Sequence, residues 1–242
     1  MKNQILITGL VLTQLVTAVS AEVFDGLVLP YREVTIGSPV ETRIDALEVR
    51  EGDTVKKGDL LVRLYSRLEE LEAKRAEAAV EKREFDAKSS LDLFKDKLVS
   101  EDEALQARIE LDLAKLMQQM AEEQVELRRL KAPIDGVIVE RLREAGDMVQ
   151  LSEPIFVILD LEQVYVQFYV RAEKLTDVAI GSQAEVTFPS LGLKTPRMGT
   201  IDYIDPRVDA ASGLSRVRVL LQNKNGEIKA GVHGTVTVLA DL

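Results

Sequence analysis

Few residues in this sequence could do covalent or metal chemistry. There is no cysteine and a single histidine, His233. Thiol nucleophiles, disulfides and zinc fingers are excluded by the first count, and multi-histidine metal sites by the second. His233 stands in AGVHGTVTV, where a hydrogen-bonded structural imidazole is a simpler expectation than a general acid or base. The acid pairs Glu69-Glu70 and Glu122-Glu123 lie among basic residues in helical sequence. Adjacent helix positions do not face each other, so these are solvated charges and not a catalytic dyad. The residues therefore predict no enzyme, no metal site and no cofactor.

The formal net charge is -10. Phosphate backbones demand concentrated Lys and Arg, so nucleic acid is excluded as a partner. A protein surface, a cationic drug or a metal ion is not. The chain has 242 residues, 46% of them hydrophobic and 30% charged, which fits one to three small folded domains. Aromatics make up 5% and Trp is absent, so any core must be aliphatic.

Residues 1–21, MKNQILITGLVLTQLVTAVSA, have the layout of a secretory signal peptide. Lys2 supplies the positive end, Ile5 to Val16 the apolar stretch, and Val19-Ser20-Ala21 a small-residue cleavage site before Glu22. Thr8, Thr13, Gln14 and Thr17 interrupt the stretch, which falls short of the roughly 20 apolar residues a spanning helix needs. Cleavage is the expectation, an uncleaved anchor the alternative, and a periplasmic location follows from export.

From Arg67 to Leu130 there is no Gly or Pro, and strong helix formers dominate. Ile109, Leu113, Leu116, Met120, Leu127 and Leu130 follow a 4-3 alternation interrupted only at Glu123, the seam of paired helices. Leu71, Ala78 and Phe85 repeat at seven, and Ala87, Leu91, Phe94 and Leu98 continue in a shifted frame. Ser100 with Glu103 is a capping-box signature that starts a second helix. The pattern predicts an antiparallel coiled-coil hairpin over residues 67–130, each helix roughly 45 Å long.

Two similar segments flank this hairpin. RIDALEVREGDTVKKGDLLVRL and APIDGVIVERLREAGDMVQLSEPIFVIL match at a constant offset: Ile44 with Ile138, Gly52 with Gly146, Asp53 with Asp147, Val55 with Val149. Each reads as strand, Gly-Asp turn, strand. Neither half is large enough to bury its own apolar face, so the two are expected to pack together, residues 34–66 with 131–160. After Asp160 several short alternating strands separated by Gly181, Asp205-Pro206 and Asn225-Gly226 predict a small β-barrel over 161–242. Residues 22–33 are expected to lend it one more strand.

EGDTVKKGDLL, the helical insert and APIDGVIVERLREAGDMV with PIFVILDL together resemble the membrane-fusion, or periplasmic adaptor, family related to haemolysin-secretion adaptors. The resemblance extends over nearly all of the chain after residue 21. It implies a mainly β fold with a helical insertion: a split lipoyl-like β-sandwich, an α-helical hairpin and a β-barrel. IDPRVD (204–209) resembles the family's barrel loop, although Gly231-Val232 stands where the family has Gly-Met. The implied role is mechanical: to link an inner-membrane efflux transporter, of the resistance-nodulation-division type, to an outer-membrane TolC-like channel, as a ring of copies, by resemblance six. The last predicted strand ends close to Leu242, so the membrane-proximal domain of many such adaptors is not expected here.

Adaptors that dock on TolC-like channels often carry Arg, then Leu four residues on, then Ser seven beyond. Leu93 and Ser100 match, and Ser89 stands at the Arg position with Lys88 beside it. Lys lacks the planar guanidinium fork, which leaves the channel subtype open. Leu93, Leu98 and Ser100 are the candidate channel contacts; the alternative is that Leu93 packs within the hairpin and Ser100 only caps. Arg207 and Asp209 are candidate transporter contacts, with plain turn chemistry as the alternative. Two rival functions stay open. A lipoyl or biotinyl carrier shares the half-motif, but its attachment Lys sits on the turn between halves, here replaced by helix, and Lys56 and Lys57 lie elsewhere. An adaptor of an ATP-driven exporter would look the same in sequence.

Overall fold

The alternation of apolar and polar residues after residue 22 produces strands, and its change to a helical period at residue 67 produces two helices. The computed structural model describes residues 22–239. The signal segment expected at 1–21 lies outside them. Among the described residues no helix is long and apolar enough to cross a membrane. Two compact units divide them: residues 30–163 with 223–227, and residues 22–29 with 164–222 and 228–239.

In the first unit, β2 (Thr42–Leu47), β4 (Leu60–Leu64), β5 (Arg129–Lys131) and β7 (Met148–Val149) form a sheet in the order β5-β4-β2-β7. A second set is β3 (Thr54–Val55), β6 (Gly136–Arg141) and β8 (Pro154–Arg171), joined antiparallel in that order. One core lies under both, and it is built from equivalent positions of the two half-motifs. Ile44 and Ile138, Leu61 and Ile155, and Val55 and Val149 are all buried in it. Each such side chain contributes roughly 1.5–3 kcal/mol by leaving water.

The halves interlock through their turns. Gly52 donates its N–H to the Ile138 carbonyl and Gly146 donates its own to the Ile44 carbonyl, both at 2.8 Å. The Asp53 carboxylate accepts the Arg50 amide, and the Asp147 carboxylate accepts the Glu144 amide, again both at 2.8 Å. Gly52 and Gly146 hold φ of 90° and 97°, a region that costs L side chains energy. Gly136 serves close packing instead: a Cβ there would stand 2.5 Å from the Leu159 carbonyl oxygen.

Helices α1 (Arg67–Lys95) and α2 (Glu101–Glu126) rise from this unit and run antiparallel. Arg83 pairs with Glu110 at 2.6 Å, Lys115 with Glu84 at 3.1 Å and Arg128 with Glu69 at 2.6 Å. The residues shielded between them are not the expected leucines. On α1 they are Ala73, Ala76, Val80, Arg83, Ala87 and Ser90, spaced 3-4 throughout; on α2 they begin Ala104, Ala107, Leu111, Ala114 and continue Gln118, Ala121, Val125. Alanines let the two backbones approach closely. Ile109, Leu113, Leu116 and Met120, the expected seam, stay exposed, Met120 to 70%. α2 also stops at Glu126, and residues 129 and 130, assigned above to the hairpin, join Lys131 in β5 and pair with β4. Leu130 is buried against Val62 in that pairing.

The second unit is a closed barrel of six strands. Its order is β1 (Val23–Gly37), β12 (His233–Val238), β9 (Gln183–Phe188), β10 (Leu193–Ile204), β11 (Leu214–Gln222) and β8, and β1 also pairs with β8 to complete the ring. Alternate residues such as Val166, Val186, Ile201 and Val219 fill the interior, and Phe168 and Phe188 are buried with them, so the core is not purely aliphatic as expected. A 3-10 helix spans Ala172–Asp177. His233 pairs in register with Leu27, and its Nδ1 lies 3.4 Å from the Asp25 carboxylate on an exposed face.

Candidate functional site

The hairpin tip is set by two caps in succession. α1 ends at Lys95, and Lys97 adopts a left-handed φ of 60°. This turns the chain so that the Lys97 N–H reaches the Phe94 carbonyl at 2.9 Å and the Leu98 N–H reaches the Leu93 carbonyl at 2.8 Å. That pair of bonds is a Schellman motif, which satisfies the orphan carbonyls of a helix end. α2 then opens on Ser100, whose Oγ accepts the Glu103 amide at 3.2 Å, the first half of the expected capping box. Glu101, Asp102 and Glu103 fill the first turn, where the helix dipole favours acids.

The tip thus brings Leu93, Leu98 and Ser100 to one end of the hairpin. Leu98 is 70% exposed and Leu93 38%. Around Leu93 lies a shallow hollow bordered by Phe85, Lys88, Ser89, Asp92 and Asp96. Lys95 bonds Asp92 at 2.9 Å and holds that carboxyl below the usual carboxylate range.

In the barrel unit, Arg207 and Asp209 sit in the loop between β10 and β11. The centre of that loop is Asp205, expected only as part of a turn. Asp205 is buried and accepts the Arg207 guanidinium at 3.2 Å, the Arg207 amide at 3.1 Å and Arg216 at 3.0 Å. The bonds from Arg207, first from its side chain and then from its amide, lower the Asp205 pKa to about 2. Asp209 shapes the turn: its carboxylate accepts the Ser212 amide at 2.8 Å and the Ser212 hydroxyl at 2.7 Å. Beside the loop, Arg218 stacks between Tyr165 and Tyr203, with its guanidinium carbon 4.4 and 4.8 Å from the ring centres. Arg216 and Arg218, two apart on one strand, share a face, and that spacing was the available signal.

Two family models cover almost all described residues. Residues 32–160 match the CzcB-like barrel-sandwich hybrid domain, and residues 163–241 match the CusB-like β-barrel domain. The chain belongs to the CzcB-like family of membrane fusion proteins. It is 28% identical over 212 residues to the cobalt-zinc-cadmium resistance protein CzcB of Cupriavidus metallidurans. That alignment takes in 81% of this chain but 40% of the relative, so the chain spans less than half of that relative's length. Among solved structures, a MacA–MexA chimera carrying the Pseudomonas aeruginosa MexA hairpin superposes with a TM-score of 0.80 at 22% identity, over 91% of this chain and 81% of that one. The membrane fusion protein Spr0693 of Streptococcus pneumoniae gives 0.74 at 16% identity, over 92% and 100%.

Proposed function

We propose that this chain is a periplasmic adaptor, exported by residues 1–21, that links an inner-membrane efflux transporter to a TolC-like outer-membrane channel as a ring of about six copies. It carries no catalysis. Residues 34–66 and 131–160 act as a lipoyl-like platform, 67–130 as a coiled-coil arm with its base strand, and 161–242 as the barrel that faces pump and neighbours. The transporter is of the resistance-nodulation-division type. The observation that carries the reading is a long helical hairpin inserted between two interlocked half-motifs, in place of the turn on which a lipoyl or biotinyl carrier would hold its attachment lysine. Leu93, Leu98 and Ser100 touch the channel; Arg207, with Asp209 shaping its loop, faces the transporter.

The test is complementation of an adaptor-deleted strain, with substrate accumulation as the readout and crosslinking to channel and transporter as the second. Restored efflux with both crosslinks supports the adaptor role. A soluble, monomeric chain that restores nothing and captures neither partner overturns it. The co-purified transporter also separates a proton-driven pump from an ATPase.

A further inference from the structure

Every described methionine stands in water. Met117, Met120, Met148 and Met198 are all more than half exposed, from 52% for Met198 to 70% for Met120, and no methionine enters a buried core among the described residues. Methionine commonly fills irregular gaps in cores, and here it fills none. The chain has no cysteine and no Trp, so these exposed thioethers are its most readily oxidised side chains.

Two of the four sit where a change of polarity matters. Met117 and Met120 are one turn apart on α2 and line a hollow of about 590 Å³ along one side of the hairpin, together with Ala76, Ala79 and Leu113. At 100° per residue, Met117 lies about 60° around the helix from Ala114 and about 40° from Ala121, and both of those seam alanines are buried. Alanine reaches only a short way from the helix axis, so longer side chains at the edge of the seam must keep water off it. The charged neighbours are already engaged, Arg75 with Glu72 at 3.2 Å and Arg83 with Glu110 at 2.6 Å. The apolar edge is left to Leu113 and the thioethers. Met148 and Met198 stand on β-strands instead, in β7 and β10.

We propose that Met117 and Met120 are a modification site: hydroperoxides convert both to sulfoxides, and the change loosens the hairpin reversibly. The sulfur lone pair attacks the terminal oxygen of the peroxide. An S–O bond forms, the O–O bond breaks, and the leaving oxygen takes the proton of the one transferred, so hydrogen peroxide ends as water. Sulfur is oxidised by two electrons and the peroxide is reduced by two. The product is a polar side chain where an apolar one stood. A sulfoxide oxygen keeps its hydrogen-bonded water, so each one draws solvent to the seam that the thioether shielded. Methionine sulfoxide reductases return the thioether, which makes the site a switch. The inference needs neither a pump nor a channel.

The test treats the full-length exported protein with hydrogen peroxide. Peptide mass spectrometry locates the added oxygens, and amide exchange follows the hairpin. Met117 and Met120 should each gain one oxygen at the doses that oxidise Met148 and Met198. Exchange over residues 104–125 should then quicken severalfold, and a methionine sulfoxide reductase should bring it back. The double variant Met117→Leu with Met120→Leu keeps the apolar edge, so its hairpin exchange should not move under the same peroxide although Met148 and Met198 still oxidise. Met117→Gln with Met120→Gln carries polar side chains of similar helix propensity and should loosen the hairpin with no oxidant present. Thioethers at 117 and 120 that stay reduced while the other two oxidise would overturn the proposal. So would unchanged hairpin exchange with both sulfoxides formed, equal loosening in the leucine variant, or a glutamine variant as tight as the parent.

Discussion

Leu98 donates its main-chain N–H to the Leu93 carbonyl at 2.8 Å, closing the end of α1 one residue after Lys97 turns left-handed. The two leucines expected to touch a channel are thus also the two ends of a helix-stop bond. That bond uses backbone atoms only, so side-chain substitutions can probe docking without removing it.

Leu93→Asp should therefore leave melting and self-association unchanged while efflux and channel crosslinking fall together. Ser100→Arg should do the same at an added local cost of about 1 kcal/mol for the lost cap, and Ser100→Thr, which keeps the cap, controls for that cost. Full efflux from both Leu93→Asp and Ser100→Arg would remove the tip from the mechanism.

Lys97 and Ser152 are the non-glycine residues with positive φ among those described, at 60° and 64°. Ser152 occupies the place that Gly58 fills in the other half, where φ is 95°. Replacing either by Gly should raise stability by about 0.5–1 kcal/mol, because the left-handed region penalises a Cβ. Thermal melting reads Ser152→Gly; amide exchange at residues 96–99 reads Lys97→Gly. A fall in either would mean that the side chain makes a contact worth more than the strain.

Acid should weaken the barrel through Asp205. Its folded-state pKa lies near 2, below the ordinary value of 3.8. A depressed carboxyl stabilises the folded form above its unfolded pKa and loses that contribution as pH falls through the folded one. The expected loss therefore falls between about pH 4 and pH 2. Asp205→Asn should be less stable than the parent at neutral pH, and the gap should narrow across that window. Parallel melting curves from pH 7 to pH 2 would rule the assignment out.

Removing the helices should leave a folded β protein only if the cut respects β5. Replacing residues 67–127 by a short Gly/Ser turn should abolish most helical circular dichroism and keep a cooperative melt. Extending the cut to residue 130 removes buried Leu130 and the β4–β5 pairing, and should cost about 2–5 kcal/mol more. Equal stability of the two would contradict the role given to β5.

The half-motifs were legible because the features that define them, a Gly-Asp turn and buried aliphatics at fixed spacing, depend on residue types that stand out. The inner seam was hidden for the opposite reason. Ala73, Ala76, Ala107, Ala114 and Ala121 carry so little apolar bulk that the leucine stripe outweighed them, yet small size is what lets two helix backbones meet. The arginine partners of Asp205 were harder to read because Arg207 comes from the loop and Arg216 from the next strand, and it is the β10–β11 pairing that brings Arg216 beside a carboxylate eleven residues away. The tip cap was readable at Ser100, whose signature is local. It was not readable at Lys97, which has no glycine to announce the left-handed turn.

The reciprocal bonds of Gly52 and Gly146 carry a consequence for the order in which the chain folds. β2 and β4 pair within the first half-motif, but its Gly52 turn finds the Ile138 carbonyl only after the whole hairpin has emerged, a long loop to close and by itself a slow step. The hairpin, however, consists of local contacts that form early. Once α1 and α2 zip together, the Arg128–Glu69 pair sits at their base and delivers β4 and β5 to each other almost ready to pair. The arm would then act first as a clasp: a lesion in the alanine seam should slow refolding of a β domain whose own residues are untouched.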